Sequence, residues 1–408
     1  MDQVVVVGAS LAGVRAAETL RAEGFTGALT VVGAEPHRPY DRPPLSKQVL
    51  TEGWDAEHHA LKAGAEGALD VDWRLGVQAT ALDLAGHRVE LSSGEALGFD
   101  GLVIATGARA RTLPGTAHLA GVHALRTLDD ARAIRTALDR PGGLDRPGVR
   151  VVVVGAGFIG CEVAASARAR GAEVTVVEPL EQPLVRVLGA QVGAVVADLH
   201  RENGVDLRLG VGVAEVVGED RVTAVALTDG TKLPADLVVV GIGVVPETDW
   251  LVGSGLTIDD GVVCDETTLA APGVVACGDV ARWPNRRFDE VARVEHWEHA
   301  LDMATHAARR LLATDEAGAA MAYEPVPWFW SDQYDRKIQL AGRARPDDRF
   351  AVVAGSLADR RFTALYGRGD RVVGALGMNM PAKIIRYRPA IAEGLGWDDA
   401  LAAAAASG

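Results

Sequence analysis

A run of β-branched residues that breaks at a glycine turn and resumes as an alanine-rich stretch occurs twice in this chain, and few folds accommodate that pattern. Val4-Val5-Val6-Val7-Gly8-Ala9-Ser10-Leu11-Ala12-Gly13 is echoed by Val151-Val152-Val153-Val154-Gly155-Ala156-Gly157-Phe158-Ile159-Gly160. Consecutive valines have the composition of a strand buried on both faces, as in parallel sheets. The residues after each turn predict helices over 14–21 and 161–170, and apolar strands follow at 29–32 and 174–177. Each copy is therefore a β-turn-α-β unit whose strands pair in parallel through a right-handed crossover. Leu102-Val103-Ile104-Ala105-Thr106-Gly107 closes the first region, and Leu237-Val238-Val239-Val240-Gly241-Ile242-Gly243 closes the second.

The chemistry of such a turn is set by three positions. The first glycine makes the bend and the third lets helix and strand approach. The middle residue stays small so that the backbone reaches a pyrophosphate lying on the helix N-terminus. Gly155, Gly157 and Gly160 meet all three demands. The first copy has Gly8 and Gly13 but Ser10 in the middle, which predicts slight crowding rather than loss of the site. Glu35 and Glu178 come after the second strand of each unit, where a carboxylate accepts hydrogen bonds from an adenosine ribose. A carboxylate at Glu178 also repels the 2′-phosphate of NADP, and Pro179-Leu180 offers no arginine, so NADH is the expected nicotinamide. A lone glycine turn also serves plain packing. Two in one chain imply two dinucleotides, and hence a flavin reduced by a nicotinamide. The expected fold is α/β, with two Rossmann-like dinucleotide-binding domains.

The chain has 408 residues, enough for about two to three domains. Near Met321 its texture changes: Trp328-Phe329-Trp330, Ile338-Gln339-Leu340 and Arg371-Val372-Val373-Gly374 alternate with turn residues. They predict an antiparallel sheet followed by a helical tail, a C-terminal α+β domain. The turn-rich stretch Pro141-Gly142-Gly143-Leu144-Asp145-Arg146-Pro147-Gly148 reads as a surface loop, with the domain boundary nearer 108–114.

A net charge of -14 disfavours nucleic acid as a partner. The longest apolar stretch, 151–165, is too short and too broken by glycines to span a bilayer, so no membrane partner is expected. The three cysteines, Cys161, Cys264 and Cys277, form neither a disulfide framework nor a metal spacing, which suits a reducing cytoplasm. No metal is expected. His296 and His299 read as a helix-surface pair, and His58-His59 as a solvated one.

The stretch Pro39-Tyr40-Asp41-Arg42-Pro43-Pro44-Leu45-Ser46-Lys47 is the sharpest of several motifs along the chain. With it go Ala105-Thr106-Gly107-Ala108, Cys277-Gly278-Asp279-Val280, Glu295-His296-Trp297 and Pro327-Trp328-Phe329-Trp330-Ser331-Asp332-Gln333. In this combination and order the chain resembles the flavoprotein pyridine-nucleotide oxidoreductases. Within them it resembles the NADH-dependent ferredoxin reductases of bacterial oxygenase and cytochrome P450 systems.

The resemblance implies a glutathione reductase-like arrangement. An FAD-binding domain spans 1–109 and 242–315, an NAD-binding domain 110–241, and a C-terminal domain 316–408. It implies that Asp279 binds the ribityl chain, that Arg42 and Lys47 lie beside the flavin, and that Trp297 and Trp330 lie near the isoalloxazine. Ala105, Thr106, Gly107, Val280, Phe158, Ile159 and Gly243 complete the implied cofactor-binding set. Competing readings stand beside these: a surface charge for Arg42, an acidic turn for Asp279, and core packing for the two indoles. Lys47 is expected to pair with Glu162 and to hold its charge beside flavin N5, the two forming the catalytic pair. The competing reading is that Glu162 simply favours the positive end of its helix.

The expected activity is hydride transfer from NADH to FAD, then single-electron transfer to a 2Fe–2S ferredoxin. The partner is expected to dock transiently on a local basic patch, with Arg286, Arg287, Arg293, Lys383, Arg386 and Arg388 as candidates and plain solvated surface charge as the competing reading, and a monomer or homodimer is expected. Alternative readings are a rubredoxin reductase, an NADH oxidase, and an NADH-responsive interaction protein resembling apoptosis-inducing factor. No cysteine lies among residues 40–47, where oxidase and peroxidase relatives carry one, which disfavours thiol relay chemistry.

Overall fold

The computed structural model describes residues 1–61, 69–140, 148–314 and 321–406. The turn-rich 141–147 and the 315/316 boundary lie outside the described residues. The chain folds into two compact units, each assembled from separate stretches of sequence. The first comprises Met1–Asp41, Ala56–Arg109 and Val245–Pro327; the second comprises Arg42–Asp55, Ala110–Val244 and Trp328–Gly408.

The first unit is built on the first valine run. Strand Gln3–Val7 pairs in parallel with Ala28–Gly33 on one side, Val5 opposite Thr30, and with Gly101–Ile104 on the other, Val5 opposite Leu102. Strand Asp72–Leu75 extends the sheet beyond Ala28–Gly33, and Val274–Ala276 then Leu269–Ala271 extend the other edge. Val4, Val5 and Val6 are fully buried, each contributing about 1.5–3 kcal/mol of hydrophobic stabilisation. Helices Leu11–Ala22 and Trp297–Leu312 pack together through small residues: Ala16, Ala17, Ala304, Ala307 and Ala308 are all buried.

The second unit repeats the plan. Arg150–Val154 lies between Glu173–Glu178 and Leu237–Val240, with Asp206–Leu209 and Val122–Ala124 outermost, and every pairing is parallel. Arg150 is fastened to Asp236 through both its backbone and its guanidinium, which ties one strand's start to the next. Both glycine-turn helices begin one turn earlier than expected, at Leu11 and Phe158, because Ser10 and Gly157 are themselves the extended residues that precede the first helical position.

The second unit also holds the antiparallel sheet expected after Met321. Its order is Trp328–Gln333, Arg336–Gly342, Arg371–Met378, Arg361–Arg368, Arg349–Ser356. Helices Pro381–Ala392 and Trp397–Ala406 follow, the first burying Ile384 and Ile391. The Tyr366 hydroxyl donates to the Leu188 carbonyl at 2.8 Å, joining this sheet to Val185–Glu202 just before the kink at Gly189 that divides it into two helical pieces.

Candidate functional site

In the first unit the glycine turn is shaped by close backbone approach. A Cβ on Gly8, whose φ is +122°, would lie 2.0 Å from the Ala105 carbonyl oxygen, and one on Gly13 would lie 1.7 Å from the Gly8 oxygen. Ala105-Thr106-Gly107 is thus the wall against which the turn is pressed. Thr106 Oγ1 donates to the Glu247 carbonyl at 2.7 Å, and the Glu247 N–H returns a bond to Gly107. A Cβ on Gly278 would meet that of Ala12 at 3.0 Å, so Gly278, the residue before Asp279 and the buried Val280, sits directly beside the first turn of Leu11–Ala22. The Glu35 carboxylate accepts the Tyr40 phenol at 2.5 Å. Trp297, the first residue of its helix, donates its indole N–H to Asp41 at 2.8 Å.

The second unit carries the second turn and the lysine–glutamate pair. Cβ atoms on Gly155 and Gly160 would lie 2.4 Å from the Gly241 oxygen and 2.0 Å from the Gly155 oxygen. Gly157 is different: its Cβ would have as its nearest neighbour an oxygen 3.9 Å away. Packing therefore requires glycine at the two outer positions and leaves the middle one open, which is what a ligand lying on the helix N-terminus needs. This cradle fits a pyrophosphate. Gly243 follows strand Leu237–Val240 with φ +96° and accepts from the Arg111 N–H. Ile159 is 46 % exposed, whereas the half-buried Phe158 sets its ring edge-on to Phe329 at 4.7 Å. The Glu178 carboxylate accepts backbone N–H groups from Ala156 at 2.8 Å and Leu180 at 3.0 Å, which anchors the turn to the end of its strand.

Glu162 lies in the second turn of helix Phe158–Ala169 and is 3 % exposed. Three side chains converge on its carboxylate: Lys47 Nζ at 2.7 Å, Ser46 Oγ at 2.5 Å and Ser331 Oγ at 2.7 Å. A buried carboxylate with three donors is satisfied as an anion, and the lysine beside it as a cation. Sequence reasoning missed the two serines, although both stand inside the family motifs; a small hydroxyl residue leaves no periodic or spacing signal.

Several expected residues have partners of their own. Arg42 donates to the Arg126 carbonyl at 2.5 Å. Trp330 lies 5.4 Å from Trp328, ring to ring, with the Lys337 ammonium over its face. The basic candidates split. Arg286 pairs with Glu266 at 2.5 Å, Arg287 donates to the Glu324 carbonyl at 3.0 Å, and the nearly buried Arg293 pairs with Glu295 at 2.6 Å. Lys383 and Arg386, on helix Pro381–Ala392, are exposed, as is Ile385 at 68 %.

Two histidine readings are corrected. His299 is not on the surface: it is 2 % exposed, stacks on Trp283 at 4.8 Å and bonds Tyr323 at 3.2 Å. His59 is buried edge-on to Tyr40 at 5.5 Å rather than solvated. The three cysteines are free and buried, and burial pushes each thiol up, Cys264 to about 12, so none is a thiolate. Among the described residues no helix is long and apolar enough to cross a membrane, and no cluster of His, Cys, Asp or Glu is placed to hold a metal.

Comparison with known proteins matches residues 2–304 to the pyridine nucleotide-disulphide oxidoreductase family and residues 328–407 to the reductase C-terminal family. The chain is 39 % identical to rhodocoxin reductase of Rhodococcus erythropolis, covering 95 % of this chain and 89 % of that protein. It is 38 % identical to putidaredoxin reductase of Pseudomonas putida, covering 97 % and 92 %. Among solved structures, the covalent putidaredoxin reductase–putidaredoxin complex matches with a TM-score of 0.89 at 37 % identity, covering 97 % of this chain and 94 % of that one. With two glycine turns of this geometry in one chain, and a match over most of its length, the chain belongs to the pyridine nucleotide-disulphide oxidoreductase family.

Proposed function

We propose that the chain is an NADH-dependent, FAD-containing ferredoxin reductase that supplies a cytochrome P450 or another oxygenase. The observation that carries this reading is the pair of glycine turns, each pressed against its own strand end, in a chain similar over most of its length to ferredoxin reductase components of dioxygenase systems and to the ferredoxin reductase of the CYP199A2 system. Bound FAD supplies the conversion between hydride transfer from NADH and one-electron release to a 2Fe–2S centre.

The protein's own residues hold and orient. Gly8, Ser10 and Gly13 admit one pyrophosphate, and Glu35 and Asp279 accept ribose and ribityl hydroxyls. Gly155, Gly157 and Gly160 admit the other, with Phe158, Ile159 and Gly243 around it and Glu178 set against a 2′-phosphate. Lys47, held by Glu162, and Arg42 supply positive charge toward the flavin, and the indoles of Trp297 and Trp330 shield it from water. We assign FAD to 1–109 and 242–315, NAD to 110–241, and a third functional region to 316–408. The buried thiols are in keeping with a cytoplasmic protein.

An acidic ferredoxin docks transiently, in this reading, on helix Pro381–Ala392, which exposes Lys383 and Arg386 and also carries Arg388, rather than on Arg286, Arg287 and Arg293. The test is NADH-driven cytochrome c reduction with a panel of purified ferredoxins and a rubredoxin. Turnover that depends on one 2Fe–2S ferredoxin supports the reading. Turnover with rubredoxin alone, or a long-lived reduced protein that changes oligomer size without turning over, contradicts it.

A further inference from the structure

The carboxylate of Glu162 is the end of a longer polar chain inside the second unit. Ser331 Oγ is 2.7 Å from Glu162 Oε1 and 3.3 Å from Gln333 Nε2. Gln333 Oε1 is 3.2 Å from His200 Nε2, and His200 Nδ1 is 2.9 Å from the Tyr334 hydroxyl. Ser331, Gln333 and His200 are 0 %, 0 % and 1 % exposed, so water does not compete along this path.

An ionised carboxylate only accepts, which sets the direction of every bond. Ser331 must donate to Glu162, so its oxygen accepts from the Gln333 amide N–H. The Gln333 oxygen then accepts from His200 Nε2–H, which leaves His200 Nδ1 bare to accept from Tyr334. Burial pushes the His200 imidazole down to about 4, so at neutral pH the ring is neutral, as this pattern needs. The phenol of Tyr334 is pushed up by burial and keeps the proton it donates. All the dipoles thus point toward the one anion, an arrangement in which each bond polarises the next.

We propose that Ser331, Gln333 and His200 are positioning residues: a one-way hydrogen-bond chain that fixes the Glu162 carboxylate, and through it Lys47, in the geometry hydride transfer uses. The chain anchors helix Phe158–Ala169 to strand Trp328–Gln333, and the last turn of Val185–Glu202 to the turn at Tyr334. Lys47 and Ser46 occupy Oε2, whereas Ser331 holds Oε1 and so limits rotation of the carboxylate. This inference rests on the reading that Lys47 and Glu162 serve the reaction.

Ring-nitrogen NMR of the FAD-loaded protein should show His200 neutral at pH 7, with its proton on Nε2; a proton on Nδ1, or a charged ring, overturns the direction of the chain. In Ser331→Ala, anaerobic flavin reduction by NADH should fall roughly tenfold, with a larger primary isotope effect from C4-deuterated NADH. Reoxidation of the chemically reduced variant by ferricyanide should match the parent. Slowing of both half-reactions alike indicates a structural role only and overturns the proposal. Gln333→Glu provides a second, near-isosteric arm should Ser331→Ala not fold. Its carboxylate competes for the Ser331 hydroxyl and draws a second proton onto His200, so reduction slows with a visible change in the ring signals. Normal reduction in both variants alongside slowed reduction in Lys47→Ala refutes the chain and spares the pair. Normal reduction in Lys47→Ala as well removes the reading of the pair itself.

Discussion

The space around Gly157 separates what the fold demands from what a ligand demands. At Gly160 an added Cβ would collide with backbone at 2.0 Å, so Gly160→Ala should cost about 1–3 kcal/mol or more and lower Tm visibly. At Gly157 the same methyl meets nothing closer than 3.9 Å, so Gly157→Ala should lower Tm far less than Gly160→Ala, only by what alanine costs at a helix N-cap, while the KM for NADH rises several-fold. Thermal melts and steady-state kinetics on the two variants check this contrast. His200 supplies a second residue-level prediction. Its pKa lies at about 4 in the folded protein against an ordinary 6.5, so the unfolded chain binds that proton more readily. The associated stability is present above about pH 6.5 and is lost as pH falls toward 4, and His200→Gln should flatten that part of the Tm-against-pH curve. Such residues were only partly legible. Glycines announce themselves through spacing and Lys47 through its motif. Ser46, Ser331 and His200 matter through neighbours distant in sequence, and a lone histidine on a helix carries no mark of the side it faces.

At the scale of elements, hydrophobic pattern revealed the parallel strands because four valines in a row fit little else. It located the helix starts one turn late, because the capping residues belong to the turn and carry no apolar period. Strands Arg349–Ser356 and Arg361–Arg368 begin on arginine and interleave small residues with apolar ones, so only their pairing partners reveal them. Arginine clusters mislead for a related reason: sequence shows the charge but not the carboxylate that answers it, as Glu266 does for Arg286 and Glu295 for Arg293. Helix Pro381–Ala392 keeps its basic residues beside the exposed Ile385, a combination suited to steering and then seating an acidic partner. The double reversal Lys383→Glu with Arg386→Glu should raise the ferredoxin KM about tenfold, more at low salt than at high, and leave ferricyanide reduction unchanged. Equal loss with both acceptors would mean damage at the flavin rather than at a docking face.

Over the whole molecule, the duplicated unit was the most legible property, since two similar stretches 147 positions apart constrain topology more than composition does. Less legible was the allocation of Arg42–Asp55 to the second compact unit: no shift in composition marks it, and only hydrogen bonds such as Ser166 Oγ to the Ser46 carbonyl at 2.6 Å and Arg135 to the Val49 carbonyl at 2.9 Å reveal it. The three buried thiols weigh against thiol relay chemistry, as does the lack of a cysteine among residues 40–47. In this reading one chain grips a flavin and a nicotinamide and passes a hydride between them. Anaerobic titration of the purified, FAD-reconstituted protein with NADH measures this most directly. The protein should be yellow, and its flavin absorbance should bleach with about one equivalent of NADH but need far more NADPH. Protein that stays colourless after reconstitution, or flavin that stays oxidised under excess NADH, would contradict it.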